Sequence, residues 1–492
     1  MSHSTSVGVL RETGRRRRRV PGGGIFTGLD ALQGILIALL IGAGPWLFGC
    51  TEPWSVALMN VGCFAAAAVG LLIRLNGNFE SSFERQSIQE KWLKRAFLSF
   101  NGILLAFIIV AYFNARASFS IQQQAFTYFD RFIQWLPTTY DVYRTRSFLI
   151  SNLALCAIFW STRDWFLRKG FAFGEKDKRF RLIAWIFLVN GFLVAIQGLL
   201  QRFSGSAKLL WFRTPYWADP LGHFGPFSYR GNAVDYLNLV WPLTFGVWHW
   251  MSARRKTLES RFGDGPELLL LPMFLLTLIA SFATLSRGGV LVAGTLVLAL
   301  LIRLTLSKTA RVWKILTIVS LVAVVFVAFS LVGNLLIQRF RQASTDQLGG
   351  RAVIYQNARQ MAVDFPWFGT GPGTFQSIYC LYREDPKQPW AAFLHDDWME
   401  TRVTFGRIGF ALVLLQFALY FLWTWSMRDR WISPMLSFCF YLSIAGCLIH
   451  AKADFPFQTY GVTFTFVIVC ALLTVATHPA KAVKAEGDLA HS

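Results

Sequence analysis

Apolar residues gather along this chain in long runs, separated by short polar and mostly basic intervals. A window of about 19 residues resolves twelve candidate spans. They lie near 29–49, 54–74, 96–113, 147–162, 182–200, 233–251, 267–285, 289–306, 312–332, 403–425, 433–450 and 457–475. A bilayer core of about 30 Å takes about 20 helical residues, so runs of this size read as spanning helices. The run at 147–162 is the least apolar of the set. One interval stands apart: residues 333–402 form a polar stretch of 70 residues. The pattern predicts an all-α polytopic membrane protein with about twelve transmembrane helices. Its expected parts are a basic tail at 1–28, nine helices across 29–332, a large, partly helical loop at 333–402, three helices across 403–475 and a tail at 476–492.

Composition agrees with this reading. Hydrophobic residues make up 54% of the 492 residues and charged residues only 15%, against about 25% charged in a soluble globular domain. That deficit excludes a soluble enzyme and a disordered chain. The net charge of +21 would suit a nucleic-acid binder, but the basic residues stand between apolar runs. Alternating the spans divides them: 29 Lys and Arg fall on the side of both tails and 17 on the other, although the latter segments are longer in total. The richer side is expected to be cytoplasmic, which puts loop 333–402 on the outer face. Arg15 to Arg19 read either as an anionic-lipid site or as a cytoplasmic retention signal. With no small-residue cleavage site behind a short apolar core, the first span is not expected to be a removed signal peptide. Five of the seven cysteines fall in spans, as packing residues. Cys50 and Cys380 fall on the outer side or its edge, leaving one disulfide open.

Candidate chemistry concentrates on the outer face. The cytoplasmic loops hold no P-loop and no GxGxxG between strand and helix, so nucleotide hydrolysis is not expected. In the large loop, a helix is predicted from Arg351 to about Phe365, after Gly349-Gly350 and before Pro366. Ile354, Ala358, Met361 and Phe365 form its apolar stripe. Arg351 lies about 50° from that stripe and Arg359 about 130°, so Arg351 is the better placed to meet a substrate at the membrane surface. Gly369, Gly371 and Gly373 follow in a segment that reads as a structural turn or as a cradle of N–H groups for phosphate. His395 precedes Asp396 and Asp397 at a membrane boundary. An imidazole ionises near neutral pH, which suits proton transfer. The alternatives are a surface histidine, or a metal site with Asp396 and Glu400 whose spacing matches no common metal motif. Ser286-Arg287-Gly288-Gly289 joins two spans almost directly. Arg287 is there either as a bidentate phosphate ligand or as a snorkelling arginine. Arg230, after Phe224-Gly225-Pro226-Phe227-Ser228-Tyr229, is a second phosphate ligand or an ordinary loop arginine. His450 and Asp454, four apart, would share a face if helical, to hydrogen-bond each other or to line a cavity.

These motifs, in this order, resemble the O-antigen ligase and O-antigen polymerase superfamily of bacterial membrane glycosyltransferases. The matching parts are Phe224–Asn232, Ser286–Gly289, Arg351, Asp364–Gly369 with Gly371–Phe375, His395-Asp396 and His450–Asp454, across roughly residues 180–475. The resemblance implies a glycosyltransferase fold of the C type in the bacterial inner membrane, with its active site on the periplasmic side. It implies a glycan donor on undecaprenyl diphosphate, and an acceptor that is a lipid, a growing glycan or a protein. It implies no metal, no cofactor and no nucleic acid. Arg287 resembles the family's diphosphate-binding arginine, with Arg230 or Arg351 completing the clamp, and His395 resembles the histidine proposed to activate the acceptor hydroxyl. Asp396, His450 and Asp454 are supporting residues. Many relatives carry Asn where this chain has Asp396. The expected activity is ligase-like, metal-independent, inverting transfer. Polymerisation of lipid-linked repeat units is the alternative, and a lipid-linked glycan flippase the reading from a different class. Outer tryptophans Trp211, Trp217, Trp390 and Trp398 are expected either to anchor at the interface or to stack on sugars.

Overall fold

The computed structural model describes residues 23–75, 87–168, 176–215, 219–256, 265–307, 311–345, 351–384 and 390–477. Arg15 to Arg19, Trp217 and Gly349-Gly350 lie outside the described residues. Within them the chain forms fourteen α-helices and one short hairpin. In order these are α1 (Gly23–Trp46), α2 (Pro53–Leu75), α3 (Ile88–Phe113), β1 (Ala117–Ser120), β2 (Ala125–Tyr128), α4 (Val142–Leu167), α5 (Lys176–Ser204), α6 (Arg230–Lys256), α7 (Leu270–Ala283), α8 (Arg287–Thr305), α9 (Arg311–Thr345), α10 (Arg351–Asp364), α11 (Phe375–Tyr379), α12 (Asp397–Ser426), α13 (Pro434–His450) and α14 (Tyr460–Val475).

A helix stands at each of the twelve apolar windows. By length and apolarity alone, seven described helices suffice to cross a membrane, or eight if the two segments of α9, bent by 57°, count as one. The protein is thus an all-α polytopic membrane protein. The helices that fail the length and apolarity test fail for visible reasons. α13 and α14 are one or two residues short of that length. α6 carries Asn232, Asp235, Asn238 and His249, yet Ala233 to Trp250 are almost wholly buried. A helix enclosed on all sides by other helices can hold polar groups that a lipid-facing helix cannot. α6 packs on α5, α7 and α13 and forms the centre of the bundle. α9 continues to Thr345, well past the window that ended at 332.

Two features set the ends of the bundle. At one end, Asp30 of α1 is fully buried and accepts from Arg168 at 2.9 Å and from Arg179 at 3.0 Å. Arg168 also donates to Gln33. At the other end the long connections gather. Here α12 is broken at Gly406, whose φ of 67° and ψ of −170° suit a residue without Cβ. The break frees backbone groups that must find partners in an apolar setting. The glycine-rich turn supplies them. Thr370 and Gly371 N–H donate to the carbonyls of Val403 and Thr404, while Arg407 and Ile408 N–H donate to those of Pro366 and Trp367. The turn's N–H groups are therefore spent on α12, which overturns the phosphate-cradle reading for Thr370 and Gly371.

The apolar stripe of α10 is where the sequence put it, but it packs mainly into a small core of the loop region. Ile354, Ala358 and Met361 meet Phe375, Ile378, Tyr379, Leu394 and Val403. All seven cysteines are free thiols. Cys50 donates to the Gly44 carbonyl and Cys380 to that of Ser377, so the disulfide left open by the sequence does not form. Trp211, Trp390 and Trp398 each donate their ring N–H within the protein, to Ser204, Gln376 and Leu448.

Removing the carboxylate from a buried cluster leaves guanidinium charge uncompensated, at a cost of about 3–5 kcal/mol. Asp30→Ala should therefore lower the melting temperature of the detergent-purified protein sharply. An unchanged melting temperature would show that Arg168 and Arg179 do not depend on Asp30.

Candidate functional site

The turn that follows α13 is the floor of the site. Helix α13 stops at His450, and Asp454 N–H still donates to the His450 carbonyl at 2.9 Å. Asp454 does not bond the His450 side chain; it reaches His395. His395 Nδ1 lies 3.0 Å from Asp454 Oδ1. Asp454 Oδ2 accepts from the Tyr229 hydroxyl at 3.1 Å, and Phe455 N–H adds a further donor to Oδ1. Burial pushes the Asp454 carboxyl up, but the hydrogen bond from His395 and the charges of His450 and Arg351 outweigh it, so its pKa lies below the ordinary 3.8. Asp454 is therefore an anion at neutral pH and can only accept. Nδ1 must then carry the proton of the neutral imidazole, which leaves Nε2 with the basic lone pair.

His395 is held from several directions. Its φ of 59° is rare for a residue with a side chain, and such strain persists only where the surroundings impose it. The Tyr355 hydroxyl donates to its carbonyl at 3.0 Å. Its ring packs edge-on against Phe455, with centroids 4.7 Å apart, and Phe455 in turn stacks on Tyr229 at 5.1 Å. The His395 side chain remains 25% exposed while Asp454 is 3% exposed, so the base is reachable and its orienting carboxylate is not. Asp396, the neighbour expected to support the imidazole, is turned away from it. Its carboxylate caps α12 by accepting from Met399 N–H at 3.0 Å and pairs with Lys452.

Arginines surround this dyad. Arg351 opens α10 and donates to the Ala453 carbonyl at 2.7 Å and to the Tyr229 hydroxyl at 3.2 Å. Arg359, further along α10, is exposed. Burial pushes the Tyr229 hydroxyl pKa well up and Asp454 adds to this, so Tyr229 stays protonated and can bridge the two. Arg230 is the first residue of α6 and donates to the Leu221 carbonyl at 2.8 Å. Arg287 is the first residue of α8, behind the cap Ser286, and reaches the Arg339 carbonyl at 3.4 Å. Arg339 and Arg287 lie near enough for their charges to act on Arg230. Arg202 ties the region together through carbonyls of Pro220, His223, Ala283 and Thr284. The α8 turn sits directly on the floor of the site: a Cβ on Gly288 would lie 2.8 Å from His450 Nε2 and 3.5 Å from Ala453 Cβ. Glycine there is a packing requirement. A second His–Asp pair lies beneath, fully buried, with His450 Nδ1 2.5 Å from Asp235 Oδ1.

The structure thus brings His395, Asp454 and Arg351 into one contact network through Tyr229. It places Arg230 and Arg287 at the starts of the two helices that close on the same turn, and it assigns Asp396 and His450 to other partners. Sequence reasoning gave no role to Tyr229, Asp235, Arg339 or Lys452. Asp235 had a legible signal, since an acid inside an apolar span marks a functional or paired position. Among the described residues, no three His, Cys, Asp or Glu side chains converge to hold a metal.

Fold and site together define an all-α polytopic membrane protein with a His–Asp dyad among arginines at one end of its bundle. Residues 272–414 match the family model described as O-antigen ligase. That segment, which contains Arg287, Arg339, Arg351 and His395, is similar to the O-antigen ligase family. No curated protein matches the chain.

The Asp454 interaction has a pH signature. Its carboxyl keeps its charge to lower pH when folded than when unfolded, so the contact stabilises the fold above about pH 4 and is lost as pH falls through the depressed value. Asp454→Asn should lower the melting temperature at pH 7 and flatten the acid decline below pH 4. Equal melting temperatures for variant and parent across that range would contradict the geometry.

Proposed function

We propose that this protein transfers a glycan from an undecaprenyl-diphosphate-linked donor to an acceptor hydroxyl at the periplasmic face of the bacterial inner membrane. In this reading the bundle is a glycosyltransferase of the C type and its loop end faces the periplasm. The observation that carries the proposal is the His395–Asp454 dyad, set by Tyr229 against Arg351 and by the 450–454 turn against the α6 and α8 starts.

His395 Nε2 takes the proton of the acceptor hydroxyl as its oxygen attacks the anomeric carbon. The glycosidic C–O bond forms as the bond from that carbon to the diphosphate oxygen breaks, and the electron pair leaves on the diphosphate. Asp454 stabilises the imidazolium that develops. A one-step displacement inverts the anomeric centre. The leaving group gains negative charge, and preorganised guanidiniums and helix N-termini oppose that charge at no reorganisation cost. Arg230 and Arg287 stand at such termini. A cation there is normally disfavoured by the helix dipole, by roughly 0.3–1 kcal/mol. Two such arginines within electrostatic reach of each other are explained if an anion binds between them. Arg351 links this positive region to the dyad. The energy of transfer comes from the diphosphate linkage, so the chain needs no nucleotide motif.

A purified-protein assay with a lipid-linked glycan and a hydroxyl acceptor in detergent tests the reading. A transferase works there without two compartments, whereas a flippase yields no new glycosidic bond. His395→Ala should reduce turnover about 10²–10⁴-fold and Arg287→Ala about 10²–10³-fold, with membrane insertion intact. Arg351→Ala should cost far more than Arg359→Ala, and a chelator should change nothing. Full activity in His395→Ala or Arg287→Ala removes that residue from the mechanism. Loss on chelation restored by Mg²⁺ or Mn²⁺ favours a metal at the His395 cluster.

A further inference from the structure

The proposed mechanism makes no use of the buried pair beneath the dyad. His450 Nδ1 lies 2.5 Å from Asp235 Oδ1, and both side chains are 1% exposed. Such a pair is weak grounds for stability, since apolar side chains of similar volume often serve as well. Polar groups at this depth are costly and mark functional positions. The pair stands where three helices meet. Asp235 belongs to the second turn of α6, behind Arg230, and His450 ends α13. The far edge of the imidazole faces the first turn of α8. Gly288 passes so close that a Cβ there would lie 2.8 Å from His450 Nε2 and 3.1 Å from Cδ2. Neither Nε2 nor Asp235 Oδ2 has a hydrogen-bond partner among the described residues. At the same level α6 and α8 touch directly. Asn238 Nδ2 donates to the Gly289 carbonyl at 3.2 Å, and a Cβ on Gly289 would lie 2.0 Å from Val234 Cγ1. The imidazole is thus a wedge: Asp235 holds one edge and α8 rests on the other. The backbone of His450 is also fixed, because its carbonyl accepts from Ala453 and Asp454 N–H at 2.8 and 2.9 Å.

We infer that His450, held by Asp235, is a positioning residue of the donor site: it fixes the start of α8, and with it Arg287, relative to the start of α6 and Arg230. This rests on the reading that those two arginines hold the donor diphosphate. His450 touches no substrate in this role; it acts through the helix that rests on it. Its backbone begins the turn that carries Asp454, and its ring supports the helix that carries Arg287. One residue therefore gives the base and the anion clamp a common reference. Without the wedge, the α8 start settles towards α13 and Arg287 moves with it. A displacement of about 1 Å is enough to matter for a charge that acts through preorganised geometry.

Binding of undecaprenyl diphosphate to the full-length protein in nanodiscs tests this, with undecaprenol as the control for the hydrocarbon chain. His450→Gln puts its amide near the Nε2 position and leaves Asp235 unpaired. It should weaken diphosphate binding about tenfold, the scale of one charge-assisted hydrogen bond. His450→Asn keeps a donor at the Nδ1 position and should bind as the parent does. Gly288→Ala presses on the ring from the α8 side and should also lose about tenfold. Combined with His450→Ala, which clears room for the new Cβ, it should lose no more than His450→Ala alone. Undecaprenol binding should stay the same throughout, which a general loss of structure would not allow. Hydrogen exchange of the amides of residues 287–294 adds a readout without ligand: faster in His450→Gln, unchanged in His450→Asn. If His450→Gln does not fold, Gly288→Ala carries the test with the pair intact. Parent-like diphosphate affinity in both His450→Gln and Gly288→Ala, additive losses in the double variant, or equal loss of diphosphate and undecaprenol would each overturn the inference. A parent protein that does not prefer the diphosphate over undecaprenol refutes the donor reading instead, and the exchange at 287–294 then decides alone whether His450 positions α8.

Discussion

A single buried carboxylate organises the loop end of this protein. Asp454 accepts from His395 Nδ1, from the Tyr229 hydroxyl and from the Phe455 backbone. Those donors come from the segment before α12, the segment before α6 and the turn after α13. The cost of burying an anion is met here by hydrogen bonds and nearby cations, which is the condition under which such a group persists. Because Asp454 is charged, its partners are obliged to donate, and the imidazole tautomer follows. Remove the charge and the orientation of His395, the place of Tyr229 and the anchor of Arg351 all lose their common reference.

The second organising influence is electrostatic and runs against local preference. Helices favour acidic residues at their first turn, yet α6 and α8 each begin with arginine. Nearby, Leu285 and His395 both adopt positive φ, at 59° each. Positive φ also occurs at Phe48, Cys50, Gln124, Leu210 and Trp211, but around the dyad such backbone and the arginine-led helices occur together. Natural sequences concentrate such conflicts where function requires them. Arg287 and His395 both lie in the segment 272–414 that resembles the O-antigen ligase family.

Much of the fold was legible because spanning helices announce themselves by apolar length, and every window found its helix. The break at Gly406 was not legible, since no window distinguishes a kinked helix from a straight one; the compensating turn at 366–371 sits far away in sequence. The end of α9 was also missed, because its last turns project beyond the apolar run. For the site, Arg287, Arg351 and His395 stood out as costly residues at membrane boundaries. Their partners did not. Asp396 adjoins His395 in the chain, but a residue at a helix cap points its side chain back onto the helix, and the carboxylate that reaches the imidazole comes from 59 residues further on. The His450–Asp235 pair spans 215 residues, and no spacing rule bridges such a distance.

The central claim is that guanidiniums at the starts of α6 and α8 receive a diphosphate next to the dyad. An electron cryo-microscopy structure of the protein with undecaprenyl diphosphate tests it most directly. The account predicts diphosphate oxygens within hydrogen-bonding reach of Arg230 and Arg287, with His395 Nε2 facing the space where a sugar would join. Diphosphate density away from both arginines, or on the opposite face of the bundle from His395, would contradict it.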